Sequence, residues 1–206
     1  MTTEVSVDPR SPSRDVVVVD GVEANARLTG ITGALLFVAL AAEGVTIVDL
    51  HDLLSMHVFV GMLVAALVLL KLASTGYRFA RYYAGDPDYR RKGPPQIVLR
   101  VIGPVVVVTT IAVVASGVVL VLVGESSRDP LLGIHKASFI VWFVAMTVHV
   151  VGHVRDTLQL SGADMSRDPA RRVAGRATRV TVVLLATGAG LATGLVAVDW
   201  IGVWRR

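Results

Sequence analysis

The 206 residues are 53% hydrophobic, carry 20 basic against 16 acidic side chains, and contain no cysteine. Apolar runs of spanning length recur too often for one soluble core of this size to hide them, so the chain is read as an all-α, polytopic membrane protein in contact with a lipid bilayer. Without cysteine there are no disulfides and no thiolate-held cofactors, and the short connections leave no room for a soluble catalytic or nucleotide-binding domain. A pI near 9.8 could point to nucleic acid. However, arginine supplies 17 of the basic residues and most of these flank apolar runs, which is the pattern of membrane topology, and no nucleic-acid partner is expected.

Residues 1–27 hold Pro9 and Pro12, several serines and alternating charge. They are expected to form a mobile cytoplasmic tail in which the patch Val16 to Val19 either pairs as a strand or stays extended. No convincing small-residue cleavage site accompanies the first apolar run, which is therefore read as a retained helix. Five spans are predicted, at about 28–47, 53–75, 97–123, 134–154 and 180–198, so that residues 28–204 form a five-helix transmembrane domain. With a cytoplasmic N-terminus, fifteen basic residues fall on the inner side and four (Arg128, Lys136, Arg205, Arg206) outside, which places the C-terminus outside. Tyr77, Phe79, Tyr82 and Tyr83 at one face and Trp200 and Trp204 at the other fit aromatic belts. Gly30 and Gly33 in the first span and Gly188, Gly190 and Gly194 in the fifth are expected to allow close helix contact.

Four histidines, His57, His135, His149 and His153, fall inside predicted spans. His135 and His149 lie fourteen positions apart on the fourth span, which is roughly 21 Å of rise and about 40° short of four whole turns, so both imidazoles leave one face at opposite depths. His57, near the start of the second span, shares the outer depth of His135. A b-type haem needs such a pair, one imidazole from each of two helices with the iron between them. Fourteen residues past His57, opposite His149, stands Lys71. The stripe His57, Gly61, Val64, Val68, Lys71 matches His135, Phe139, Trp142, Met146, His149 step for step, and Gly61 would let a flat macrocycle approach the backbone. His153, one turn beyond His149, is a further inner candidate, or else an interfacial side chain. His51 and Glu43 are read as interfacial groups that reach water, Glu43 having proton handling at a quinone as its alternative. Phe139, Trp142 and Met146 are read as apolar filling.

From about His51 to Arg155 the arrangement resembles cytochrome b of the respiratory quinol-oxidising complexes, whose second and fourth helices each carry a His-x13-His pair. Here one pair, His135 and His149, is complete and the other, His57 with Lys71, is half-filled. In size and span count the chain is also similar to small bacterial cytochrome b and ferric-reductase-like membrane domains. The resemblance implies a multi-pass protein of the bacterial inner membrane that binds one or two haem b through His57, His135 and His149. Lys71 and His153 would stand at the inner site, with Lys71 pairing a propionate or a quinone. It implies electron transfer between a quinone pool and a partner, either a periplasmic oxidoreductase or a cytoplasmic flavoprotein, as the electron-transfer subunit of an oxidoreductase. Two other classes stay open. His149 and His153 at i, i+4 have the spacing of a metal or proton path, and a cofactor-free membrane anchor would use the histidines for packing alone.

Overall fold

A computed structural model describes residues 14–91, 93, 97–123, 128–165 and 174–202. Among them the regular structure is entirely helical: α1 (Arg14–Val48), α2 (Leu50–Tyr83), the short α3 (Pro87–Arg91), α4 (Ile97–Leu122), α5 (Arg128–Met165) and α6 (Arg176–Gly202). Five segments are long and apolar enough to cross a membrane: Gly21–Val48, Leu50–Tyr83, Arg100–Leu122, Arg128–His153 and Arg176–Ile201. The chain is a multi-pass membrane protein. Valine-rich α4 illustrates why: in water its run of β-branched residues would favour a strand, whereas in hydrocarbon a lone segment satisfies its own backbone only as a helix.

The first helix begins at Arg14, so the part of the expected tail from there onward, Val16 to Val19 included, is helical and continuous with the first span. After Pro12 no proline interrupts the chain until Pro87. Glu23 and Arg27 pair one turn apart at 3.1 Å and support the helix ahead of its apolar stretch. Residues 1–13 lie outside the described residues, as do Trp204 and the two final arginines.

The helices pack as an open ring. α2 lies between α6 and α1, α1 also packs on α5, and α5 on α4; the seam between α4 and α6 is thin, and α2 and α5 are not a packed pair. They face each other across the interior. One cluster of buried apolar side chains joins α1 and α2, at Leu36, Ala39, Val64, Leu67 and Val68. Large apolar side chains such as Phe37, Leu69, Phe143, Leu184 and Val196 point outward, a surface that suits lipid and would be an aggregation patch in water.

Lipid tails are as apolar as leucine, so helices in a bilayer associate through close packing and not through burial from water. At the tightest seam, a Cβ added at Gly190 would stand 2.9 Å from the Leu63 Cα, and one at Gly194 2.9 Å from the Phe59 carbonyl oxygen. These two glycines, four apart on α6, let the backbones of α6 and α2 meet as the sequence leads one to expect. Gly188 meets nothing within 4 Å, so it takes no part. Thr32, fully buried in α1, sends its hydroxyl to the Leu28 carbonyl at 2.8 Å, which removes the cost of an unsatisfied donor in hydrocarbon.

Candidate functional site

His57 and His135 meet where α1 and α4 finish and α2 and α5 begin. Their ring centroids are 6.5 Å apart and their planes nearly perpendicular, at 83°. The two helices that bear them do not touch closely, so the rings bridge the interior between opposite walls of the ring. Neighbouring helices hold each imidazole by Nδ1. Thr46 on α1 places its Oγ1 2.9 Å from Nδ1 of His57, and Glu43, one turn earlier, places Oε1 3.0 Å from the same nitrogen. On the other wall Ser116 of α4 places its Oγ 3.0 Å from Nδ1 of His135. Gly117 makes room for this ring: a Cβ there would stand 3.1 Å from Cε1 of His135.

The hydroxyl hydrogens decide the tautomers. Thr46 donates to the Glu43 carbonyl at 2.6 Å, and Ser116 to the Ala112 carbonyl at 2.6 Å. A hydroxyl has one hydrogen to give, so towards the rings both oxygens can only accept. With those hydrogens on the carbonyls, the tautomer that this geometry favours has its proton on Nδ1, where a carboxylate or hydroxyl receives it, and its lone pair on Nε2. A histidine prepared to bind a metal through Nε2 has this arrangement, its orientation set by the acceptor at the opposite nitrogen.

At the other end of α2 and α5 the sequence-predicted residues are arranged differently. Lys71 sends Nζ to the Thr29 carbonyl of α1 at 2.7 Å, where it acts as a donor beside a small polar cluster: Thr29 donates to Ser74 at 3.0 Å, and the Asn25 amide to the Ser74 carbonyl at 3.1 Å. His149 lies within electrostatic reach of Lys71, and its buried Nδ1 has no hydrogen-bond partner. His153 stacks obliquely on it with centroids 4.7 Å apart. Opposite His149 no second imidazole stands among the described residues, and none of the described residues form a group of three or more His, Cys, Asp or Glu that could hold a metal ion.

Between the two levels, Trp142 is buried against α4 and donates its indole N–H to Thr110 at 2.9 Å, with Phe139 stacked on it at 6.0 Å. Apolar filling describes most of that stripe, but Trp142 also ties α5 to α4. His51 is exposed and pairs with its neighbour Asp52 at 3.0 Å, in keeping with an interfacial role. Glu43 departs from expectation. Its side chain is turned into the bundle and is only 16% exposed, and its Oε2 is buried without a hydrogen-bond partner. Gly61, expected beside a macrocycle, faces this carboxylate instead: a Cβ there would stand 3.3 Å from Oε1 of Glu43. Thr46, Ser116 and Gly117 were not singled out from the sequence. The available signal was a hydroxyl on each neighbouring span at the depth of a histidine, and it is weak, because threonine and serine commonly bond their own helix. Set against protein-family models, curated proteins and solved structures, the chain matches none.

Proposed function

We propose that the chain is a membrane b-type cytochrome in which His57 and His135 would hold one haem. The observation that carries this reading is the paired geometry: two imidazoles 6.5 Å apart on helices that do not pack on each other, each engaged at Nδ1 by a neighbouring helix, which favours Nε2 as the ligating nitrogen. The donor set fits the group, since two metal–imidazole bonds of about 2 Å put ring centres roughly 6 Å apart, close to the 6.5 Å found. Bound there, haem would supply one-electron transfer. The residues of the chain would orient the ligands, exclude water through the apolar walls, and set the electron affinity through Glu43, Thr46 and Ser116.

The other level suits a different occupant. An unpartnered imidazole nitrogen and an ammonium favour an acceptor oxygen, such as that of a quinone, over a second bis-histidine iron. On this reading the chain passes electrons between a quinone and a redox partner protein, periplasmic or cytoplasmic, in a bacterial inner membrane. The excess of arginine favours the lysine end as the cytoplasmic one. Purified protein is expected to be red, with one haem per polypeptide by pyridine haemochrome assay and a low-spin reduced-minus-oxidised spectrum. Protein purified from haem-replete cells without haem would refute the reading. A reporter after Arg206 is expected to be active outside the cytoplasm and one inserted near Asp86 inside it; the reverse pattern would invert the orientation.

A further inference from the structure

We infer that Glu43 is a positioning residue that makes the two histidines of the pair unequal, holding His57 by a carboxylate while His135 is held by a neutral hydroxyl, and that it would thereby lower the reduction potential of the site. The inference rests on the haem reading of the pair.

The asymmetry is in the contacts. Nδ1 of His57 has both the Thr46 hydroxyl at 2.9 Å and Oε1 of Glu43 at 3.0 Å, whereas Nδ1 of His135 has the Ser116 hydroxyl at 3.0 Å. A charge-assisted hydrogen bond is roughly twice as strong as a neutral one. A carboxylate on Nδ1–H pulls its proton and enriches the ring in electron density, so that Nε2 becomes the stronger donor. Ferric haem carries a net positive charge on its core that ferrous haem lacks, so both the stronger donor and the nearby anion favour the ferric form.

Glu43 is also placed as a residue with this task would be. A carboxylate in a membrane span is expensive, yet Glu43 is turned inward with Oε2 buried and unpartnered, and Gly61 leaves space where any larger residue would press on Oε1. A cationic iron centre behind His57 would offset that cost. The Thr46 hydroxyl alone would suffice to fix the tautomer, as the Ser116 hydroxyl does for His135, so the carboxylate contributes something a hydroxyl does not.

The test is a dithionite titration of purified Glu43→Gln, Ser116→Ala and unaltered protein, read as midpoint potential beside haem content. Reduction adds one electron, donated by dithionite, to the iron, and no atoms are transferred. Glu43→Gln keeps the shape and an acceptor oxygen, and is expected to retain haem while the reduction equilibrium moves at least tenfold towards ferrous, which is 59 mV for one electron. Ser116→Ala is expected to move it less. A haem-replete Glu43→Gln with an unchanged potential, or a Ser116→Ala shift as large, overturns the inference. If Glu43→Gln does not assemble, the unaltered protein decides. A ferric near-infrared charge-transfer band displaced from that of a neutral bis-imidazole haem supports the inference, and a band at the neutral position overturns it. Unaltered protein without haem would overturn the cytochrome reading itself, a result distinct from all of these.

Discussion

The two ends of the α2 and α5 pair differ in what the neighbouring helices supply. At one end α1 brings Thr46 and Glu43 to His57, and α4 brings Ser116 to His135. At the other, α1 offers a backbone carbonyl to Lys71, and Nδ1 of His149 is left without an acceptor. Both ends hold an imidazole on α5 at the same face. On the haem reading, the difference teaches that a histidine in a membrane bundle depends on the helices beside it to become a ligand: an acceptor at Nδ1 would fix the ring and leave Nε2 for the metal, and at His149 that acceptor is absent among the described residues.

The strongest way to break this comparison is to remove the histidines one at a time. His57→Ala or His135→Ala is expected to abolish the low-spin haem spectrum, whereas His149→Ala is expected to leave haem content unchanged; a haem equivalent lost from His149→Ala would show that the two ends are alike after all. A smaller effect is expected from Gly194→Leu. The new side chain would press on Phe59, two positions from His57, and destabilise the α2–α6 contact by about 1–3 kcal/mol, seen as a lower thermal midpoint in detergent and weaker haem retention. An unchanged midpoint would mean that this seam is not a tight one. The smallest is Lys71→Met, expected to keep haem content and spectrum intact while slowing reaction with a soluble quinone roughly tenfold, as for the loss of one charge-assisted hydrogen bond worth ~1.5 kcal/mol. Replacement of the low-spin signal by a high-spin one in Lys71→Met would make the amine an iron ligand.

Span number, approximate bounds and the shared depth of His57 and His135 were legible because each follows from one helix at a time: a run length, or a rise per residue. What escaped depends on how each helix is rotated about its own axis relative to its neighbours. Periodicity places Glu43 near the end of the first span but does not say whether it turns to headgroups or to His57. For the same reason Gly61 was matched to a macrocycle when it faces the Glu43 carboxylate, and nothing in the pattern marks Ser116, a mid-helix hydroxyl that also bonds its own helix. The start of α1 at Arg14 escaped for a local reason, since alternating charge reads as a tail until the Glu23–Arg27 pair is counted as helix support.

The contact of α6 with α2 has a consequence in time. The face of α2 around Phe59, Leu63 and Ala66 is covered by Gly190 and Gly194, which the ribosome reaches only after all the intervening helices are made. At ordinary synthesis rates that delay is roughly 6–25 s. During it the second helix sits in the membrane with one flank waiting for the last, so the order of translation leaves this seam to be closed at the end, by a helix whose small residues let it slide into a place already shaped.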